Sequence, residues 1–142
     1  NAKLFWGNLQ DTKISDGTET IKIIQNVINI TNPDVIYTHT KNDNHQDHRN
    51  THFATIVAGR KVENVFCYLT PSSTIDFRPT LFSEIDEFVS KKIEIIKCFQ
   101  TQTEKCAYLS EEMIASTSVF WGRFANYKKV EPFEIVKQKV RS

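Results

Sequence analysis

No stretch of this chain approaches the roughly 18 consecutive apolar residues of a membrane-crossing helix, which excludes such a span. Neither sign of charge is in excess: 18 Lys and Arg stand against 17 Asp and Glu, a net of +1. That balance gives no strong field to draw the chain to nucleic acid or an anionic membrane. Cysteine is scarce. Cys67, Cys98 and Cys106 are odd in number, widely spaced and without a CxxC pair. This argues against a disulfide framework or a cysteine zinc cluster. It fits a reducing, cytoplasmic compartment, with thiols packed as small hydrophobes. Internal repeats and low-complexity tracts are also missing. What is present is ordinary for one globular domain: 142 residues, 39% hydrophobic and 25% charged.

The pattern along the chain alternates between strand and helix. Residues 3–6, "KLFW", read as a short strand, broken by Gly7-Asn8. "ETIKIIQNVINIT" reads as a helix, with Thr18 as its cap and Ile21, Ile24, Val27 and Ile28 on one face, widened by Ile23 and Ile30. Asn32-Pro33 stops it. "DVIYTH" lacks alternation until its end, as expected of a parallel strand buried on both faces. "HRNTHFATIVAGRK" is a second helix closed by Gly59, and "NVFCYL" a second buried strand. This order implies βαβ units and an α/β, Rossmann-like fold with a mostly parallel sheet and flanking helices. Further on, "LFSEI" reads as a short edge strand. "DEFVSKKIEIIKCFQTQ" reads as an amphipathic helix, with Ile85, Phe88, Val89, Ile93, Ile96 and Phe99 in one stripe. Residues 109–126 form another helix that starts at Ser110. "EPFEIVKQ" closes the chain as a strand or an extended arm.

All four histidines fall in residues 38–52, "THTKNDNHQDHRNTH", interleaved with Asp43 and Asp47. The window leaves a strand end and enters a helix, where open α/β sheets place their chemistry. His45 and His48 are spaced to share a helix side. The positive helix end disfavours imidazolium and keeps a ring neutral, the form that ligates metal. Asp43 and Asp47 are near enough to orient an imidazole through its second nitrogen. His45, His48 and His52 can be drawn as a three-histidine zinc face. His39, at the strand end, reads as a sheet cap or a loop hydrogen-bonder. The alternative for the whole window is a solvated loop. The loop 70–80, with Ser72, Ser73, Thr74 and Arg78, has the length and hydroxyl content to line a cleft.

"PDVIYTH" followed by "NDNHQDHR" resembles the second metal motif, H-x-D-H, of the PIG-L or LmbE-like zinc-dependent de-N-acetylases. "NLQDTKI", "PSSTIDFRPTLF", "VSKKIEIIKCFQTQ" and "EPFEIV" resemble that family's other segments, in the right order. The resemblance implies a Rossmann-like fold and hydrolysis of the acetamide of an N-acetylglucosamine-type sugar or glycoconjugate at Zn2+ or another divalent metal. It implies His48 as a metal ligand and His45 as general acid or stabiliser of the tetrahedral oxyanion. Asp47 would hold a ring in position, and Arg49 would anchor sugar or phosphate oxygens. A plain helix-surface charge is the alternative for Arg49.

The sequence departs from the family in one large respect. The family's first motif, H-P-D-D-E, supplies two ligands and the base, and nothing in these residues matches it. Leu69 also stands where relatives are expected to carry Glu. The chain begins at Asn1 inside an apparent strand. The expectation is therefore that residues 1–142 are the carboxyl-terminal part of a single deacetylase domain. Its remaining ligands would come from a missing amino-terminal segment. Two other readings stay open. One is a non-catalytic sugar-binding or interaction module, whose exposed edge pairs with that segment or with a second copy. The other is a self-contained zinc site of His45, His48 and His52 serving another hydrolysis, such as phosphoester cleavage.

Overall fold

The computed structural model describes residues 2–140. The chain divides into two compact units, one running to Arg78 and resuming at Glu134, the other Pro79–Phe133. The first holds helix α1 (Thr18–Thr31), strand β1 (Val35–His39), helix α2 (Gln46–Ala58) and strand β2 (Asn64–Tyr68). The second holds strand β3 (Leu81–Glu84), helices α3 (Val89–Lys97), α4 (Gln100–Thr103) and α5 (Glu111–Ala125), and the start of strand β4 (Val130–Lys137). The sheet order is β1-β2-β4-β3. The α/β class read from the alternation is the class observed.

In the first unit β1 and β2 run parallel, from Val35 opposite Asn64 to His39 opposite Tyr68. Helix α2 packs against β1, and α1 packs on α2. The core is built from Val65, Phe66 and Cys67 of β2 with Ala54 and Ala58 of α2. Small residues let this helix lie close to the sheet. At Gly59 the approach is closest, since an added Cβ would sit 2.9 Å from Ile36 Cδ1 and 3.0 Å from the Thr55 carbonyl oxygen. A buried hydrogen bond from Thr38 to Thr55 ties strand to helix at 3.3 Å.

Several details differ from the sequence reading. Residues 3–6 form no strand; Leu4 and Trp6 are exposed. An apolar run becomes a strand only when a neighbour completes its hydrogen-bond ladder, and the described residues offer it none. Strand β1 is not buried on both faces. Thr38 is buried, whereas Val35 and Tyr37, on the other face, are exposed. Helix α1 turns Ile21, Ile23, Ile24, Val27 and Ile28 partly inward, while Ile30 is exposed. Its N-cap is Gly17, with no side-chain cap, and its C-cap is Asn32 in the left-handed conformation (φ 42°).

In the second unit β3 and β4 pair antiparallel, Leu81 opposite Phe133 and Glu84 opposite Val130. The single helix expected over 86–102 is broken. A 3-10 turn (Asp86–Phe88) precedes α3, and Phe99 leaves helical geometry (φ −93°, ψ 58°) before α4. Only Val89 of the expected stripe is buried, and Phe88 and Phe99 lie exposed. A stripe this lightly covered gives a helix little tertiary support. Helix α5 begins as expected: Ser110 caps it, its hydroxyl accepting the Met113 amide at 3.3 Å. Among the described residues no helix is long and apolar enough to cross a membrane.

Candidate metal centre

The site is made where β1 and β2 end. His39 is the last residue of β1, and the loop after it lies against the loop after β2. The Asn44 amide donates to the Ser72 carbonyl at 2.9 Å and the Thr74 amide to the Asn42 carbonyl at 2.8 Å. Asp43 and Ser73 form a bridge between the two. His45 is then the N-cap of α2, its Nδ1 accepting the Asp47 amide at 3.2 Å. With Nδ1 used as an acceptor, the proton of a neutral His45 sits on Nε2.

Asp43 is the centre of this arrangement. Its side chain is fully buried. It accepts the His45 amide at 2.8 Å, the Thr70 hydroxyl at 2.6 Å and His48 Nδ1 at 3.0 Å. Burial pushes its carboxyl up, but the bonds from Thr70, the His45 amide, His48 and Ser72 outweigh that and hold it down at about 2. It is therefore a fixed carboxylate. A His48 ring that donates from Nδ1 to that carboxylate keeps a lone pair on Nε2, the nitrogen then free to ligate.

The rings of His39 and His48 stack at 3.9 Å and 9°, and those of His45 and His48 at 4.6 Å and 23°. His39 Nε2 meets the Tyr68 hydroxyl at 3.2 Å. Its Nδ1 is buried without a hydrogen-bond partner. Burial, with His48 beside it, pushes His39 down to about 4, so this imidazole is neutral at ordinary pH. His39, Asp43 and His48 each offer a ligand atom, all within 4.8 Å of one another. A neutral imidazole with an orphaned nitrogen, a fixed carboxylate and an oriented second imidazole form a donor set that fits a divalent metal such as zinc.

Two other hydrolytic devices are excluded by geometry. Ser72 Oγ lies 3.3 Å from His48 Nδ1, the same nitrogen that faces Asp43. A serine–histidine–aspartate relay needs the two on opposite nitrogens. Cys67 is buried, and burial pushes its thiol up to about 12, so it is no activated nucleophile.

The residues expected from sequence separate here. His45 and His48 come together with their rings stacked. His52 does not join them. It is buried, its Nδ1 meeting the His39 carbonyl at 2.9 Å and Cys67 Sγ at 3.4 Å. The face of His45, His48 and His52 thus does not form; His39 instead stacks on His48 and, with Asp43, makes up the group of possible ligands, beyond its reading as a cap. Asp47 touches the His45 ring through its backbone amide, while its buried carboxylate accepts the Thr12 amide at 2.7 Å. Gln46 and Asn50 hold the same segment through the Thr12 and Ile14 carbonyls. Arg49 turns one guanidinium nitrogen onto the carbonyls of Asp43 (2.6 Å) and Asn44 (2.8 Å). It clamps the site loop. The hydroxyl-rich loop does reach the site, through Thr70 and Ser72.

The family model "GlcNAc-PI de-N-acetylase" (PIG-L) matches residues 2–59. An uncharacterized deacetylase of Escherichia coli, YaiS, is 33% identical over 63 residues, which is 44% of this chain and 34% of that protein. The chain thus spans about a third of that relative's length. Among solved structures, the conserved protein TT1542 of Thermus thermophilus superposes with a TM-score of 0.80 at 18% identity, over 94% of this chain and 65% of that one. The N,N'-diacetylchitobiose deacetylase of Pyrococcus horikoshii gives 0.79 at 18%, over 95% and 57%. GalB of Pseudomonas putida, a 4-carboxy-2-hydroxymuconate hydratase, gives 0.65 at 20%, over 87% and 60%. At these identities the structures show a shared fold, and one fold serves a hydratase as well as a deacetylase. The stretch that matches the PIG-L family model, residues 2 to 59, carries every member of the histidine cluster.

Proposed function

We propose that this chain carries part of the active site of a metal-dependent de-N-acetylase acting on an N-acetylglucosamine-type sugar or glycoconjugate. The observation that carries the reading is the His39, Asp43 and His48 group, at the end of a parallel strand inside the family-matched segment. His48 would hold the metal through Nε2, with Asp43 fixing its ring, and His39 stands beside it as a further donor. A bound zinc would polarise the amide carbonyl and acidify a water, which a poor electrophile such as an acetamide requires. His45 carries its proton on Nε2, suited to donating to the oxyanion that develops on the carbonyl or to the departing amine. Asp47 keeps that tautomer in place through its amide, and Arg49 holds the loop while its remaining donors are available to substrate oxygens. The general base and further ligands would come from a segment of the H-P-D-D-E type outside these residues, and the intact protein would work in the cytoplasm.

The test is acetate release from N-acetylglucosamine conjugates by the chain joined to a segment carrying H-P-D-D-E, with zinc supplied. His48→Ala should lower the rate by at least about a thousandfold, the loss expected when a Lewis acid worth several kcal/mol is displaced. Equal rates for His48→Ala and the parent would contradict the reading. A specific observation keeps the non-catalytic reading as the second choice: β1 stands at the edge of the sheet among the described residues, and an edge strand can pair with another chain. Sugar binding without metal or turnover would favour it.

A further inference from the structure

Between His39 and Asp43 lie only Thr40, Lys41 and Asn42, and one distant carboxylate governs that stretch. Glu134, on β4, accepts the Thr40 hydroxyl on Oε2. On Oε1 it accepts the Asn42 side-chain amide at 3.2 Å and the Arg78 backbone amide at 2.9 Å. Thr40 is wholly buried, and its hydroxyl oxygen in turn accepts the Asn42 backbone amide at 3.1 Å. Asn42 also donates to the Asp76 carbonyl at 3.0 Å.

We propose that Glu134 is a positioning residue that sets the separation of His39 and Asp43. Three donors from two segments converge on one carboxylate, and two of the three come from the short link between those side chains. Arg49 and Ser72 hold the far side of the loop, at Asp43 and Asn44. Glu134 holds the near side, where the chain leaves β1. The consequence for metal affinity rests on the reading given under the proposed function; the control of loop geometry does not. Partners of this kind, one step behind the ligands, typically change metal affinity 10–100-fold when removed.

The test compares the parent chain with Glu134→Ala, Glu134→Gln and Thr40→Val. Two readouts are used: amide hydrogen exchange in the metal-free protein, and zinc affinity by competition with a chelator. Glu134→Ala should speed exchange at the Asn42 amide about tenfold or more, while the amides of β2 keep their protection. It should also weaken zinc at least about tenfold. Glu134→Gln, which keeps one carbonyl oxygen for Asn42 and Arg78, should lie between the two. Thr40→Val removes the acceptor of the Asn42 amide itself and marks the exchange of a fully released link, so Glu134→Gln decides the matter if the alanine variant does not fold. Unchanged exchange at Asn42, or a uniform loss of protection that includes β2, overturns the proposal. So does parent-like zinc affinity in a variant whose Asn42 amide is released. If the parent itself takes no zinc, the metal reading fails and the exchange pattern alone decides the role of Glu134.

Discussion

A carboxylate that accepts three hydrogen bonds has little left to give a cation, and Asp43 accepts from His45, Thr70 and His48. Of its roughly four lone-pair directions, at least three are in use, and Ser72 competes for the rest. Its stronger role is to fix the tautomer and plane of His48, which leaves the two imidazoles as the donors this chain offers best. His39 carries a measurable signature of its setting. The folded ring stays neutral down to about 4, whereas a free imidazole protonates near 6.5. Between those values the unfolded chain binds more protons than the folded one, so stability falls as the pH drops from about 6.5 towards 4. In metal-free protein, urea unfolding of His39→Gln should lose less stability over that window than the parent; identical slopes would contradict the neutral, buried ring. The thiols give a second check. Cys98 is exposed, Cys106 partly so, and Cys67 buried with its thiol pushed up to about 12. A thiol-reactive dye should label Cys98 first and Cys106 next, and reach Cys67 only on unfolding. The sequence exposed His45 and His48 as neighbours because their spacing is local. It could not show that His52 faces Cys67, or that His39 replaces it, because both depend on how β1 lies beside β2.

Three helix ends were legible from local signals, whereas Thr18, expected to cap α1, lies inside the helix and Gly17 takes the cap position. Asn32 ended α1, Gly59 ended α2 and Ser110 began α5, each through a cap that acts within a few residues. The break at Phe99 was not legible, since no glycine or proline marks it and a stripe of apolar residues runs through it. Gly122 is a case where a helix needs the absence of a side chain. A Cβ there would lie 2.5 Å from the Tyr127 carbonyl oxygen and 2.8 Å from that of Lys128, because the chain folds back over α5 after the left-handed Asn126 (φ 58°). Backbone does not yield as a flexible side chain does. Gly122→Ala should cost about 1–3 kcal/mol despite alanine's better helix propensity, read as a lowered unfolding midpoint in denaturant. A midpoint at or above the parent's would show that the returning chain is free to move.

At the scale of the whole molecule, the α/β class was legible because strand and helix alternate in period as well as composition. The open face of β1 was not, because an unbroken apolar run reads the same whether one or both sides are covered. This chain covers 65% of the Thermus structure and 57% of the Pyrococcus one. Within this chain the proposed metal side of the site consists of two imidazoles and an orienting carboxylate. That proposal turns on whether the cluster holds metal. Crystals of the chain soaked in zinc and measured at the zinc absorption edge test it most directly. An anomalous peak is expected at bonding distance from the His48 ring, with His39 beside it, and lost in His48→Ala. A peak at His52 and Cys67 instead, or none at the end of β1, would contradict it.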